Sequence, residues 1–348
     1  MKTSPFPPAA ASSLTAAFSA QARSSMKRRL LKLLAVLSAG ALLPGIGHAQ
    51  SDKPISLVVG YSAGGSADFV ARVVGAELGK RLGRTVIIEN VAGASGMIAV
   101  QKVLNAPADG NIIYMGGTDT VAVPMVNPKV KLDWEKDLLP VGRMTTVPMI
   151  LAVPTSSPYA TLSDLVSALR KSGKESFNYA TPGIGTMQHF YGSLINKQAK
   201  IEMLHVPYRG GAQIANDLVG GQVDSAVLVL STAMPFLKEG KIKALSVSDT
   251  TRVPQLPNVK RIGEEEGFNG ISLPLWQGLF VKSGTPAATV TAYEKALLEA
   301  VAQPEVRTKL AESGITVAPM SGRELRAFVS PQATLYRDIV KAAKITME

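Results

Sequence analysis

The chain contains no cysteine among its 348 residues. That excludes disulfide cross-links, thiol catalysis and Cys-ligated metal together, and leaves an exported protein to rely on its hydrophobic core. Histidine is scarce as well: of three, only His189 and His205 lie beyond position 50. They are not at ligand spacing, so no metal site is expected. Beyond position 50 no apolar stretch approaches the roughly 20 residues of a membrane-spanning helix. That part of the chain also lacks a Lys/Arg block, an internal repeat and a low-complexity linker. Nucleic acid is therefore not an expected partner.

What the first fifty residues do have is the pattern of an export signal. Met26-Lys-Arg-Arg29 gives a basic start, residues 33–46 an uncharged apolar stretch of fourteen, and Gly47-His-Ala49 small residues before a cut ahead of Gln50. Arg28-Arg29 has imperfect spacing for a twin-arginine signal, which favours the general secretory route. Residues 1–25 are rich in Ala, Ser and Pro and precede a second methionine, so they read as an overextended translation start. Lys2, Arg23, Lys27, Arg28, Arg29 and Lys32 all lie before the cut and no acid does; without these six the formal charge falls from +11 to +5. So diffuse an excess mildly favours small anions. About 300 residues remain, enough for two cores.

Short apolar runs at 55–59, 86–90, 112–115, 149–153, 177–180, 203–206, 226–230, 244–247 and 278–281 alternate with helical patterns. The alternation predicts an α/β fold with largely parallel sheets. The runs at 149–153 and 279–281 are followed by Pro-bearing loops and read as crossovers between two lobes around a ligand cleft. Residues 50–150 with 275–348 are expected to form one lobe and 151–274 the other, after the upstream extension and signal over 1–49. Near the C-terminus, Thr285-Pro286 starts a helix carrying Leu297, Leu298 and Val301, and Ser321-Gly-Arg-Glu324 reads as a capping box.

Three loops follow predicted strands and precede predicted helices, the position where open α/β sheets bind ligands. The first spans Tyr61, Ser62, Ala63, Gly64, Gly65 and Ser66 to Asp68, and the apolar recurrence of Val70, Val74, Leu78 and Leu82 starts a helix at Ser66. Gly65 is expected to need a conformation or a close approach that a side chain forbids. The second loop, Gly116-Gly-Thr-Asp119, brings Thr118 and Asp119. The third, Thr181-Pro-Gly-Ile-Gly-Thr186, carries Thr181, Gly183, Gly185 and Thr186 ahead of a helix over 187–198. Helix N-termini suit anions, so these loops predict a carboxylate or phosphate, with an ordinary helix cap as the plain alternative for the third. His189 beside it is a packing or capping residue or a ligand contact. Tyr208 and Arg209 follow another strand, where Arg209 grips a carboxylate or is a solvated surface residue. Trp276 is core, hinge or ligand-stacking.

Two enzymatic patterns compete. Gly60-Tyr-Ser-Ala-Gly64 satisfies G-x-S-x-G, the nucleophile elbow of a secreted serine esterase using Ser62. It sits on the first strand, however, before any strand whose loop supplies an oxyanion hole, and no histidine lies near the C-terminus. Gly-Tyr-Ser-Ala-Gly-Gly with Glu89 is half of a dinucleotide fingerprint, too little to assign a cofactor.

The order of segments resembles the substrate-binding receptors of the tripartite tricarboxylate transporter family, also called Bug-type receptors. The resemblance rests on Gly60–Asp68, Val86-Ile-Ile-Glu-Asn90 with Gly93 and Gly96, Ala108-Asp-Gly110, Asn178-Tyr-Ala180 with Gly183-Ile-Gly-Thr186 and His189, and His205-Val-Pro-Tyr-Arg-Gly210. Gly220-Gly-Gln-Val-Asp224, Gly240-Lys-Ile-Lys-Ala-Leu245, Leu256-Pro-Asn-Val259 and Gly284-Thr-Pro286 continue it. It implies a non-catalytic, monomeric periplasmic receptor of periplasmic-binding-protein-like fold. Its lobes would close on a small carboxylate held by backbone amides, hydroxyls and water, without a cofactor, and membrane transport subunits or a sensor would be its partners. One departure is local: Tyr61, Ser62 and Ala63 replace the phenylalanine and both prolines of the family's first loop.

Overall fold

The computed structural model describes residues 53–172, 177–249, 252–269, 273 and 275–343. The export signal read from residues 1–49 lies outside them. In chain order the elements are β1 (Ile55–Val59), α1 (Ser66–Leu82), β2 (Val86–Asn90), α2 (Met97–Asn105), β3 (Ile112–Gly117), α3 (Thr118–Val126), α4 (Trp134–Asp137) and β4 (Leu138–Val147). Then come β5 (Met149–Pro154), α5 (Leu162–Ser172), β6 (Asn178–Thr181), α6 (Met187–Ala199), β7 (Leu204–Pro207), α7 (Gly211–Val219), β8 (Ser225–Val229), α8 (Leu230–Lys238) and β9 (Ile242–Val247). The chain ends with β10 (Leu275–Lys282), α9 (Ala287–Ala302), α10 (Pro304–Glu312), β11 (Thr316–Ser321) and α11 (Gly322–Ala343). These build a two-lobed α/β fold: a six-stranded sheet, β11-β4-β10-β3-β1-β2, and a five-stranded one, β7-β6-β8-β5-β9.

Helix α1 shows how the sequence sets an element that positions the cleft. Val70, Val74 and Leu78 are fully buried, each contributing about 1.5–3 kcal/mol by leaving water. Asp68 lies in the first turn and Lys80 and Arg81 in the last, matching the helix dipole. Gly83, at φ 61°, ends the helix by donating its N–H to the carbonyls of Gly79 and Lys80. The capping box before α11 also forms: Ser321 N–H and Oγ each meet the Glu324 carboxylate at 2.8 Å, and Glu324 N–H donates back to Ser321 Oγ at 3.3 Å.

Largely parallel sheets were expected, and the structure corrects this. β1 runs parallel to β2 and β3, and β6 parallel to β7 and β8. In contrast β10 is antiparallel to β3 and β4, β11 to β4, and β5 to both β8 and β9. The cause is the passage between sheets. β4 ends at Val147 and β5 starts at Met149, so the chain enters the five-stranded sheet at the cleft and runs away from it. A strand that begins where its neighbours finish must oppose them, and β10 repeats this on the way back. β4 and β11 themselves were not anticipated. Pro140, Gly142, Arg143, Thr145 and Thr146 interrupt the apolar run of β4. Arg143 is accommodated by lying 4.8 Å over the Phe328 ring and donating from Nε to the Ala318 carbonyl at 2.7 Å. β11 contains Pro319 and is an edge strand with a register shift there, the setting in which a strand tolerates proline.

Candidate functional site

Strands β1, β3, β6, β7 and β8 finish at the cleft, and each hands over to a helix that begins there: α1, α3, α6, α7 and α8. The N-terminus of a helix presents free N–H groups and roughly half a positive charge. In α1, α7 and α8 the residues before the first turn are Gly65, Gly210 and Val229, and none of them caps its helix with its own side chain; the first N–H of α8 goes to the Pro148 carbonyl at 2.8 Å and that of α1 to a hydroxyl of the other lobe. Helix α6 differs. Thr186 Oγ1 accepts from His189 N–H at 3.3 Å, and the Asp119 carboxylate, reaching across from the other lobe, accepts from Met187 N–H at 2.9 Å.

The lobes are in contact around the cleft. Ser66 N–H donates to Thr232 Oγ1 at 3.1 Å, Ser231 Oγ to Ser66 Oγ at 2.7 Å, Ser95 Oγ to the Ile184 carbonyl at 2.8 Å, and Ser62 Oγ to the Arg209 carbonyl at 3.2 Å. Gly183 and Gly185 permit this approach. Their φ values are 140° and 79°, and a Cβ would stand 2.4 Å from Ser95 Oγ on the first and 2.3 Å from Val126 on the second.

Between the lobes lies a small cavity of about 50 Å³. Its polar walls are Tyr61, Ser66, Asp119, Gln188, Thr232 and Gln277, with backbone of Gly65 and Gly211 beside them; the ends of β8 and β10 supply the apolar surface. Among the described residues no Lys, Arg or His lines it. An anion here would be held by dipoles and N–H groups rather than by a cation. A larger open groove of about 340 Å³ beside Pro148, Arg252, Arg307 and Gly314 does not include the helix N-termini, so the smaller cavity is taken as the site.

Of the residues expected at the site, Tyr61, Gly65, Ser66 and Asp119 line the cavity. The others surround it or lie apart. Gly64, at φ 82°, makes the turn and donates its N–H to Asp68 at 3.0 Å. The constrained glycine of this loop is therefore Gly64: Gly65 has φ −83° and room for a Cβ, contrary to expectation. Ala63 is exposed, and Asp68 pairs with Arg72 at 2.9 Å. Burial alone would raise the Asp68 carboxyl, but hydrogen bonds from Arg72 and the Gly64 N–H hold it below its ordinary value. Thr118 is buried and accepts from Trp276 N–H at 3.2 Å. Thr186 is fully buried and donates to the Gly183 carbonyl at 2.7 Å besides capping α6. Tyr208 donates to Asp217 at 2.8 Å, and Arg209 is exposed. Trp276 packs in the core between Phe280 and Phe328.

The two histidines sit behind the third loop. His189 Nδ1 accepts from Gly185 N–H at 3.1 Å, His205 Nε2 meets Thr181 Oγ1 at 2.6 Å, and the rings stack 4.1 Å apart. Burial lowers His189 to about 4, and burial followed by the neighbouring His189 lowers His205 to about 3. Both are neutral near pH 7. Ser62 donates to a carbonyl and not to an imidazole, so the elbow lacks the base its chemistry requires. Glu89, the other half of the dinucleotide pattern, pairs with Lys102 and accepts from Ser56 at 2.8 Å.

Gln188, Thr232 and Gln277 were missed. Thr232 follows the run 226–230 and was open to the same strand-end rule as the three loops. Gln277 was visible as a polar residue in an apolar crossover strand. Asp119 is singular in another way: its Oδ2 accepts from the Tyr61 hydroxyl while Oδ1 holds Met187. Burial raises its carboxyl above the ordinary value, against the lowering effect of those two bonds. Burial, followed by the charge of Asp119, pushes the Tyr61 phenol well up.

The model of the tripartite tricarboxylate transporter family receptor matches residues 70–345. The chain is 34% identical over 271 residues to the UPF0065 protein of a tcbD-tcbE intergenic region in a Pseudomonas species, covering 78% of this chain and 80% of that one. Among solved structures it is similar to the periplasmic binding protein BugD, with a TM-score of 0.81 and 28% identity over 85% of this chain and 99% of the other. MatC from Rhodopseudomonas palustris, solved with bound malate, gives a TM-score of 0.77 and 32% identity over 82% and 98% of the two chains.

Proposed function

Because the chain belongs to the tripartite tricarboxylate transporter family of receptors, we propose that it is a periplasmic solute receptor whose lobes close on a small carboxylate. It hands that ligand to membrane transport subunits or reports it to a sensor. The observation that carries this reading is the convergence of the N-termini of α1, α7 and α8, none capped by the side chain of its own N-cap residue, on a cavity with no cationic side chain among the described residues. Backbone dipoles of that kind bind a carboxylate without a guanidinium clamp. The malate bound to MatC supports the ligand class. The two moving lobes are those of the six-stranded and the five-stranded sheet, which meet at Pro148, two residues before the expected boundary at 150/151.

Export follows from the same reading. No helix among the described residues is long and apolar enough to cross a membrane. N-terminal sequencing of protein from a periplasmic fraction should give Gln50 as the first residue. Ligand binding is tested by thermal shift with malate and a panel of other carboxylates. A ligand at roughly 100 times its Kd adds about 2.7 kcal/mol and raises Tm by several degrees. A folded protein that responds to no carboxylate would overturn the proposal.

A further inference from the structure

The cleft treats its helix N-termini unequally, and this bears on what the ligand carries at each end. Asp119 occupies the N-terminus of α6 through Met187 N–H at 2.9 Å, so a ligand carboxylate cannot use that pole without displacing a carboxylate of the protein. Around the α1 and α7 termini, Gly65, Ala67 and Gly211 line the cavity, and their N–H groups have no acceptor among the described residues, whereas Ser66 N–H between them is taken by Thr232 Oγ1. That part of the cavity wall is thus a place for an anion.

Another part of the wall is built of acceptors. Asp119 lines it, and its oxygens each carry one bond, from Tyr61 and from Met187, which leaves lone pairs on both. Gln188, the next residue along α6, is 6% exposed and also lines the cavity, and its Oε1 has no hydrogen-bond partner. A buried acceptor left unpaired is costly, and a buried carboxyl with no cation beside it is ionised only against the penalty of burial, which raises it above its ordinary value. Among the described residues no Lys, Arg or His lines this cavity to complete either group. A second carboxylate on the ligand would add repulsion to both deficits, whereas an N–H donor, above all an ammonium, would relieve them.

Resting on the receptor reading above, we propose that the ligand is an amino-carboxylic acid. Its carboxylate lies at the N-termini of α1 and α7, and its ammonium lies between Asp119 and Gln188. Asp119 is then the residue that determines specificity, separating amino acids from diacids of the same length.

Matched pairs test this. β-Alanine, 4-aminobutanoate and 5-aminopentanoate differ from malonate, succinate and glutarate only in having CH2–NH3+ where the diacid has its second carboxylate. Calorimetric titration of the wild-type protein should show at least one amino acid binding at least about tenfold tighter than its diacid partner. Asp119→Asn can still accept from Met187 and bond Tyr61, and it should reverse that order. Gln188→Met, which lacks the acceptor, should weaken the amino acid alone. Diacids binding as well as or better than their partners to the wild type would overturn the inference and leave the receptor reading intact. Silence from all six compounds counts against the inference, while the receptor reading stands or falls on the broader carboxylate screen. An unchanged preference in a folded Asp119→Asn variant would remove Asp119 from the role.

Discussion

The first and third loops of the cleft are built alike and end differently. Both follow a parallel strand, carry two glycines and open a helix. The first leaves α1 without a cap from its own N-cap residue, Gly65, which lines the cavity, and only Ser66 N–H of that loop goes to a neutral hydroxyl, that of Thr232. The third spends its hydroxyls on itself: Thr186 caps α6, Thr181 meets His205 and Gly183, and Asp119 from the opposite lobe takes Met187 N–H. A helix N-terminus attracts an anion in either case. In one the protein supplies that anion, and in the other the ligand does. On the proposed reading the first loop is the binding element and the third a docking surface for the other lobe.

The largest expected effect falls on that docking surface. Gly185→Val would place a branched side chain at φ 79° and against Val126, where a Cβ alone stands at 2.3 Å. Left-handed strain and overpacking together should cost about 2–4 kcal/mol of stability. Ligand affinity should fall, and scattering should show a radius of gyration that no longer decreases when ligand is added. Gly65→Val, at φ −83° with nothing closer than 3.6 Å, should fold normally and lose only binding. If both variants fold equally well, the loops do not differ as described.

Acidification should strain the third loop before the first. His189 and His205 are held neutral, lowered to about 4 and about 3 by burial. A base whose folded pKa lies below its unfolded value contributes stability that is present above about pH 6.5 and is lost as pH falls toward 4 and then 3. Charging His189 fully should cost on the order of 3 kcal/mol. Asp119 has the opposite sign, since its raised carboxyl is best tolerated protonated, so its contribution is lost as pH rises through its folded pKa. Urea titrations from pH 7 to 4 should show the fall, and His189→Asn should flatten it.

How much of this was legible in the sequence depends on the range over which each residue acts. β1 and β2 were placed to the residue because Leu57, Val58 and Val59 and the run Val86-Ile-Ile carry the strand signal locally. Ser321 and Glu324 were legible as a box for the same reason. β4 was not, because Pro140, Gly142 and Arg143 depend on partners as distant as Ala318 and Phe328. Asp119 could be read as lying at a strand end. Its bond to Met187, 68 residues away, required the two lobes to be brought together. The choice between Gly64 and Gly65 turned on which of two adjacent peptides takes positive φ, and composition does not encode that.

Two smaller effects sharpen the contrast. Thr186→Val keeps the shape and removes the cap of α6, so it should lower stability by about 1–2 kcal/mol in chemical denaturation, with ligand affinity following only through stability. Ser62→Ala removes a single bond between lobes, to the Arg209 carbonyl at 3.2 Å, and should cost at most about 1 kcal/mol of affinity. Neither that variant nor the parent should hydrolyse activated esters or react with a serine-directed fluorophosphonate; hydrolysis in the parent that is lost in Ser62→Ala would restore the nucleophile elbow.

The most direct measurement is the amide proton spectrum of the 15N-labelled protein, followed while the tightest-binding carboxylate of the thermal screen is added. The amides of Gly65, Ala67 and Gly211 should shift strongly downfield as they acquire an anionic acceptor, and that of Met187, already bonded to Asp119, should stay nearly still. A large shift at Met187 with none at the other three would contradict the account, because the ligand would then sit where the protein's own carboxylate is drawn.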